Sequence, residues 1–345
     1  MATTFAVPDG RVAMAATTYT GTGATLAVSN AVNTVSFQPD FVWMKGRSGA
    51  TDHALYDSVR GATFDLVSNS TAAQTTQATG LTTFGAAGFT VGALAKVNTS
   101  AATYVGWNWK AGGTAASNTA GTITSSVSAN TTAGFSVVTY TGTGANATVG
   151  HGLGVAPSMV IVKHRNAADA WYVYHVNLTS AAYVLQLNTT IAQTSVPTIF
   201  NSTAPTSSVF SVGTDSSTNT GSGTYVAYCW APVAGYSAFG SYTGNGSADG
   251  PFIYTGFRPR WLMIKRTDAV QNWIIVDTSR DTYNVANKRL FANLSDAEDT
   301  GIANYMDMVS NGFKCRDSNV SYNASAGTYI YAAYAENPLK YANAR

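Results

Sequence analysis

Acidic and basic residues recur at fixed spacing along this chain. At three places a lysine is followed twelve residues later by an aspartate or a histidine, and an arginine follows both aspartates by three residues. These residues are Lys45, Lys163 and Lys265, then Asp57, His175 and Asp277, and finally Arg60 and Arg280. Such groups form either a charged functional cluster or an exposed ion pair at a strand end. Because His175 and Leu178 replace the pair at the second place, we expect the structural ion pair.

Metal-binding and nucleophile patterns are weak in this sequence. The four histidines, His53, His151, His164 and His175, fit no zinc-ligand spacing, and no G-x-S-x-G elbow occurs. The acidic stretch from Asp296 lacks the alternation of a dedicated calcium loop. We therefore assign no catalytic residue, no metal ligand and no cofactor, and expect a protein that is not an enzyme. Paired carboxylates for glycoside hydrolysis stay open, because seventeen acidic residues leave some close together after folding.

Aromatic side chains are the remaining candidates for recognition. The chain has seven tryptophans and nineteen tyrosines, more than three small cores need to bury. Aromatic faces are used both for sugar binding and at protein interfaces. Trp107, Trp171 and Trp273 are accordingly the candidate glycan- or partner-binding residues.

The elements that position these residues are themselves repeated. The motif Y-T-G-x-G begins at Tyr19, Tyr140 and Tyr242, and each of the three lysines follows a proline by six residues. The prolines are Pro39, Pro157 and Pro259. Each copy then repeats a Leu-x-x-Asn step and closes on an aromatic strand, "YVGWNW", "YVAYCW" or "YIYAAY". Agreement at this many positions predicts three copies of one unit.

The glycine motif is interpreted as a turn rather than a site. Gly-x-Gly offers two residues that can adopt positive φ angles. A phosphate-binding loop would need a helix N-terminus behind the glycines and a lysine within the loop, and the sequence indicates neither. We therefore expect each Y-T-G-x-G to end the first strand of its unit.

The apolar pattern predicts an all-β protein. Apolar residues alternate with period two or form short runs between turn formers. In the strand that starts at Thr224, alternation places Val226, Tyr228 and Trp230 on one face and Cys229 on the other. We expect three tandem homologous β-sandwich units, with jelly-roll topology as one option. The predicted domains are residues 1–115, 116–232 and 233–345.

Composition restricts the classes of function. The 345 residues include 10% charged residues and carry a net charge of +2, which gives no electrostatic footprint for nucleic acid or an anionic membrane. Cys229 and Cys315 are too few for a disulfide framework and are expected to be buried free thiols. The sequence shows neither a signal peptide nor an apolar run approaching 18 residues. We expect a soluble protein made in a cytoplasm.

Two stretches carry a resemblance to a known kind of protein. "GFSVVTYTGTGANATVGHGLGVAPSMVIVKHR", residues 134–165, and "YAAYAENPLKYANAR", residues 331–345, resemble the repeated module of tailed-bacteriophage virion proteins described as tail-fibre or structural proteins. The resemblance extends over nearly the whole chain and is closest in the middle unit. It implies a β-rich particle component without family catalytic residues.

The resemblance also implies location and partners. The expected protein is a tail or head fibre component of the virion that contacts host surface polysaccharide, bound to other virion proteins and trimeric by analogy. Because the first repeat begins by about residue 15, attachment is expected to use a folded unit. One alternative is a capsid decoration or tail-assembly protein without a receptor role. A second is a tailspike-type enzyme that degrades polysaccharide.

Overall fold

The computed structural model describes residues 6–301 and 306–336. The part of the closing stretch beyond residue 336 lies outside the described residues. The fold is mostly β, with several antiparallel sheets, three single-turn α-helices and one 3-10 helix among the described residues. None of the helices in these ranges has the length and apolar character needed to cross a membrane. Below, the first, second and third segments are residues 1–115, 116–232 and 233–345.

The first segment forms a four-stranded sheet, a three-stranded sheet and a short hairpin. The strands are β1 Met14–Thr20, β2 Leu26–Ser29, β3 Phe41–Gly46, β4 Ala54–Asp57, β5 Phe64–Asp65, β6 Thr75–Thr76, β7 Leu81–Gly85, β8 Gly88–Val91 and β9 Thr103–Trp109. A 3-10 helix spans Gly10–Val12 and helix α1 spans Ala95–Asn98. The sheet orders are β1-β9-β3-β4, β2-β8-β7 and β5-β6.

The second segment has an eight-stranded sheet and a two-stranded sheet. The strands are β10 Ala116–Asn118, β11 Ser125–Asn130, β12 Phe135–Thr141, β13 Ala147–Gly150, β14 Met159–His164, β15 Tyr172–His175, β16 Tyr183–Gln186, β17 Thr194–Ser195, β18 Val209–Val212 and β19 Thr224–Trp230. Helix α2 spans Ser216–Asn219. The orders are β10-β11-β12-β19-β14-β15-β16-β17 and β13-β18.

The third segment has a five-stranded and a three-stranded sheet. The strands are β20 Ser237–Thr243, β21 Phe252–Tyr254, β22 Pro259–Arg266, β23 Ile274–Asp277, β24 Leu290–Phe291, β25 Met306–Val309, β26 Gly312–Cys315 and β27 Thr328–Ala335. Helix α3 spans Val320–Asn323. The orders are β20-β27-β22-β23-β24 and β21-β26-β25, and each named sheet draws its strands from one segment.

The alternation predicted for β19 is confirmed. Val226, Tyr228 and Trp230 belong to a central core, whereas Cys229 belongs to a second core inside the second segment. This division follows from strand geometry, because successive side chains point to opposite faces of a sheet. One face of the large sheet therefore packs locally and the other packs against the remaining segments.

The central core draws on all three segments. The ring of Trp109 lies 6.2 Å from that of Trp230 and 5.3 Å from that of Trp261, between ring centroids. Phe41 stacks on Tyr228 at 4.3 Å. Large aromatic rings contribute much buried apolar area, so this shared cluster stabilises the three segments together. The first and third segments are in direct contact, which a simple row of three units does not require.

The contacts between segments repeat in a cycle. Trp171 donates its indole N–H to the carbonyl oxygen of Val67, and Trp273 donates to that of Gln186, both at 2.9 Å. At the corresponding place in the first segment, His53 Nε2 lies 2.9 Å from the carbonyl oxygen of Phe291. The second segment thus contacts the first, the third contacts the second, and the first contacts the third. These contacts close the three segments into a ring.

The Y-T-G-x-G motifs lie at the ends of β1, β12 and β20, and the structure shows why they recur. β1 and β20 are the first strands of their segments, as predicted, whereas β10 and β11 precede β12 in the second segment. In the first copy Tyr19 stacks on Tyr104 with ring centroids 5.2 Å apart. The buried amide of Asn98 accepts a hydrogen bond from the Thr22 N–H at 2.7 Å. The second and third copies repeat both contacts, through Tyr140, Tyr225 and Asn219 and through Tyr242, Tyr329 and Asn323. The motif fastens β1, β12 and β20 to the helical turn before the last strand of each segment.

The two glycines of the motif serve different purposes. Only the second, Gly23 in the first copy, has a positive φ, of 73°. The first, Gly21, is required because a Cβ there would overlap the carbonyl oxygen of Thr99. The expectation that both glycines supply positive φ angles is corrected accordingly.

Candidate functional site

The three repeated lysines are buried, which corrects the expectation of exposed ion pairs. Each ammonium group donates to backbone carbonyls, including at least one in the neighbouring segment. The acceptors across the interface are Ser295 O and Asp296 O for Lys45, Thr71 O for Lys163 and Thr190 O for Lys265. Burial lowers the lysine pKa to about 8 for Lys45 and Lys163 and to about 7 for Lys265. The lysines therefore join the segments. The acidic stretch that begins at Asp296 supplies a carbonyl acceptor for Lys45 and not a calcium loop.

The Asp–Arg pairs form but are also buried, which again corrects the exposed location. Arg280 Nε lies 2.6 Å from Asp277 Oδ2, and Arg60 pairs in the same way with Asp57, with no exposed side-chain surface in either pair. Removing two charges from water is costly unless each finds several partners. Each buried aspartate therefore needs further hydrogen-bond donors besides its arginine.

Aromatic side chains of a neighbouring segment supply those donors. Tyr228 of the second segment donates its hydroxyl to Asp57 Oδ2 at 2.8 Å. Trp107 of the first segment donates its indole N–H to Asp277 Oδ2 at 2.9 Å. The Asp–Arg step is therefore one half of an interface whose other half lies on a different segment.

At the interface of the second and third segments, both the aspartate and the aromatic residue that donates to it are replaced. Its aspartate position holds His175, and the position matching Trp107 and Tyr228 holds Ala332. His175 Nε2 lies 3.2 Å from the carbonyl oxygen of Tyr331 instead. Burial lowers the pKa of His175 to about 4 and that of His53 to about 3. Both rings are therefore neutral at neutral pH, with Nε2 donating.

The three candidate tryptophans lie in the interior. Trp107, Trp171 and Trp273 are at most 1% exposed and donate their indole N–H groups inside the protein. Their faces are covered by other side chains, so the surface role expected for them is corrected to an interface role. The prolines Pro39, Pro157 and Pro259 are buried as well.

The remaining polar candidates are structural where they are described. Cys229 and Cys315 are buried free thiols, as predicted. His151 Nε2 faces the carbonyl oxygen of Thr206, and His164 Nδ1 lies 2.8 Å from Asp169 Oδ2. Within residues 6–301 and 306–336, no group of three or more His, Cys, Asp or Glu is placed to hold a metal ion.

The surface of the third segment differs from the rest. Among the described residues, the exposed aromatic side chains are Phe252 and Tyr254 on β21 and Tyr283, which is 84% exposed. Tyr283 lines a cleft of about 540 Å³. The other lining residues are Arg258, Thr282, Asn284, Met308, Val309, Ser310 and Glu336.

Two hydrogen bonds and an ion pair position the walls of this cleft. Asn284 accepts from the Met308 N–H at 2.9 Å and donates to the Met308 carbonyl oxygen at 3.1 Å, which fixes the tyrosine-bearing loop to β25. Arg258 pairs with Glu336 at the rim. The cleft thus combines an exposed aromatic face with amide and hydroxyl groups and balanced charge. That combination suits a sugar, whose apolar face stacks and whose hydroxyls hydrogen-bond.

Sequence reasoning missed this cleft. Tyr283 lies in "DTYNVANKR", the stretch between the repeated Arg280 and Leu290, which is longer than the corresponding stretch between Arg60 and Leu66. A search for divergence between repeats would have found it, whereas a search for repeated residues finds the interfaces. Asn98, Asn219 and Asn323 were also missed, although each precedes a repeated tyrosine by six residues.

Comparison with known proteins gives one match. Neither the curated proteins nor the solved structures contain a significant match to this chain. A family model described as a domain of unknown function, DUF7483, matches residues 12–338. One model therefore covers all three segments, in agreement with their shared core and closed ring of contacts. On this match, the chain belongs to the DUF7483 family.

Proposed function

We propose that this protein is a structural component of a bacteriophage virion, a tail or head fibre protein that binds host-surface glycan through the cleft beside Tyr283. In this proposal each segment is one copy of a sandwich module, and the three copies form a rigid body. The resemblance of residues 134–165 to virion modules supports the particle role. The observation that carries the binding role is the placement of the exposed aromatic side chains on the third segment.

Geometry supports a continuous binding surface there. Tyr254 is followed by Thr255, whose N–H donates to the carbonyl oxygen of Asn311 at 3.0 Å. Asn311 follows Ser310, a lining residue of the cleft. The aromatic strand β21 and the cleft beside Tyr283 therefore meet at one loop. A sugar chain could stack on both while its hydroxyls reach Asn284 and Ser310.

The test is a binding measurement with matched variants. Glycan arrays and host cells are probed with the wild-type chain, Tyr283→Ala, Tyr254→Ala and the exposed-surface control Val176→Ala. We expect at least a tenfold loss of binding for the tyrosine variants and none for the control, with folding unchanged because all three sites are exposed. Equal binding by all four proteins would exclude this surface as the site.

Two alternatives give different results. A decoration or tail-assembly protein would bind no glycan, and electron cryomicroscopy of the particle would place it in broad contact with other virion proteins. A depolymerase would release reducing sugar from host polysaccharide and would need two facing carboxylates. Among the described residues that line the Tyr283 cleft, Glu336 is the one carboxylate, and it is paired with Arg258.

A further inference from the structure

A second surface groove, in the second segment, is lined mainly by serine and threonine residues and by Arg165. It has a volume of about 370 Å³ and lies over the ends of β11, β12 and β19. Its lining residues are Ser117, Thr124, Ser125, Ser126, Thr139, Tyr140, Thr141, Thr224 and Arg165. Arg165 is the one charged side chain among these residues.

The hydroxyls form rows because of strand register. Ser126 lies opposite Thr139, and Thr141 lies opposite Thr224. These residues continue the face that carries Tyr228 and Trp230 deeper in the protein, at the level where the central core gives way to solvent. Alternation brings their side chains to the same side of the sheet. The hydroxyls of Ser125 and Tyr140 instead donate to the carbonyl oxygens of Gly150 and Thr218 inside the protein. The groove therefore offers a ligand the hydroxyls of Ser126, Thr139 and Thr141.

Arg165 is distinguished by comparison with the equivalent interfaces. At the interface of the first and third segments, Glu298 accepts from Arg47 Nη2 at 2.9 Å and from Arg280 Nη1 at 3.0 Å. At the interface of the second and first segments, the position of Glu298 is held by Gln74. Its amide oxygen accepts from Arg165 Nε at 2.9 Å and from Arg60 at 3.2 Å.

The charges at these two interfaces do not balance in the same way. Two arginines meet two carboxylates, Asp277 and Glu298, at the first–third interface. At the second–first interface, Asp57 is the one carboxylate among the described residues that pairs with either arginine. Arg165 forms no ion pair with a carboxylate among the residues described. Burial, and after it the nearby Arg60, lower the pKa of Arg165.

We infer that this groove binds the carboxylate of an acidic saccharide, with Arg165 as the anion-binding residue and the threonine and serine hydroxyls as partners of the sugar hydroxyls. A guanidinium group presents paired N–H donors that match a carboxylate. Arg165 uses Nε for Gln74, so its terminal nitrogens are available to the ligand. The site is independent of the Tyr283 cleft and of the virion role.

The chain itself supplies the variants for the test. Gln74→Glu reproduces the Glu298 arrangement and gives Arg165 an internal carboxylate, and Arg165→Thr reproduces the third segment, which has Thr267 at this position. Gln193→Glu places the same charge at the equivalent position of the remaining interface and controls for net charge. Binding of tetragalacturonate is measured by calorimetry and by NMR titration, with maltotetraose and inorganic phosphate as comparison ligands.

We expect tetragalacturonate to bind the wild-type chain and Gln193→Glu equally, and to bind Gln74→Glu and Arg165→Thr at least tenfold more weakly. Gln74→Glu should melt no lower than wild type, so its loss of binding cannot be assigned to unfolding. Absence of binding by wild type, or equal binding by Gln74→Glu, overturns the inference. Binding of inorganic phosphate as tight as that of tetragalacturonate overturns the saccharide assignment, because the groove would then recognise an oxyanion alone. The Tyr283 variants leave the groove intact. Their glycan binding therefore tests the proposed function separately from this inference.

Discussion

At the scale of single residues, most charged groups that repeat along the chain hold the segments together. Lys45 donates to carbonyls of the third segment, and Asp57 accepts from Tyr228 of the second. Each such group is buried, so its energetic role depends on whether every hydrogen-bonding atom has a partner. The consequence is that single substitutions here act on the assembly of the ring.

The two buried Asp–Arg pairs should respond differently to loss of the aspartate. Asp57→Ala leaves Arg60 with an amide partner, Gln74, whereas Asp277→Ala leaves Arg280 with the carboxylate of Glu298 at 3.0 Å. We expect Asp57→Ala to lower the free energy of unfolding by about 3–5 kcal/mol, as for an uncompensated buried charge, and Asp277→Ala to lower it less. Urea denaturation of both variants measures the order. An equal loss would mean that Glu298 does not compensate Arg280.

The buried histidines predict loss of stability in acid. The pKa of His53 is lowered from 6.5 to about 3 and that of His175 to about 4, because burial disfavours the charged ring. Below pH 6.5 the unfolded chain therefore binds protons that the folded chain does not. The free energy of unfolding should fall by up to about 1.4 kcal/mol per pH unit for each histidine between pH 6.5 and pH 4.

Denaturation curves at several pH values check this slope. His175→Gln cannot titrate and should show a shallower decline than wild type over the same interval. If the variant and the wild type declined in parallel, His175 would not carry the effect.

At the scale of elements, β1, β12 and β20 are each tied to the helical turn before the last strand of their segment. Tyr19 stacks on Tyr104, and Asn98 bonds to the turn after β1. The four-stranded sheet of the first segment is therefore closed at this corner by side chains as well as by the backbone pairing of β1 with β9. Sequence periodicity predicts the strands, but the partner of the glycine turn is remote in sequence and was not predicted.

Glycine substitutions test this corner. Gly21→Ala should cost about 1–3 kcal/mol or more, because its Cβ meets backbone that cannot move without breaking the turn. Gly23→Ala should cost about 1–2 kcal/mol, the strain of a positive φ in a residue with a side chain. Gly49→Ala is the control, since nothing lies near its Cβ position. Thermal melts rank the three variants, and a neutral Gly21→Ala would contradict the contact.

At the scale of the whole molecule, the aromatic core shared by three segments predicts cooperative unfolding. Trp109 contacts both Trp230 and Trp261, so loss of any one segment exposes rings of the others. We expect a single calorimetric transition with a van't Hoff enthalpy close to the calorimetric enthalpy, which is uncommon for a chain of this length.

A core variant separates this outcome from independent domains. Trp109→Ala removes a buried ring and should cost about 3–5 kcal/mol. If the ring of segments unfolds as one, the whole transition moves to lower temperature. If only part of the heat moved and two or more transitions resolved, the segments would be separate folding units, as in the tandem arrangement predicted from sequence.

The sequence alone determined the repetition, the strand character and the turn at Y-T-G-x-G, because these depend on local periodicity and on residues close in the chain. It also determined that Cys229 and Cys315 are buried thiols. Only the tertiary structure decided that the lysines, the Asp–Arg pairs and Trp107, Trp171 and Trp273 are buried at interfaces, because their partners lie on other segments. The Tyr283 cleft, and the meeting of Arg165 with the amide of Gln74 where the equivalent arginine meets a carboxylate, were likewise decided there. A repeated residue indicates a contact that each segment makes. Whether that residue is exposed, and whether its charge is balanced, depends on which side chains of the neighbouring segment pack against it.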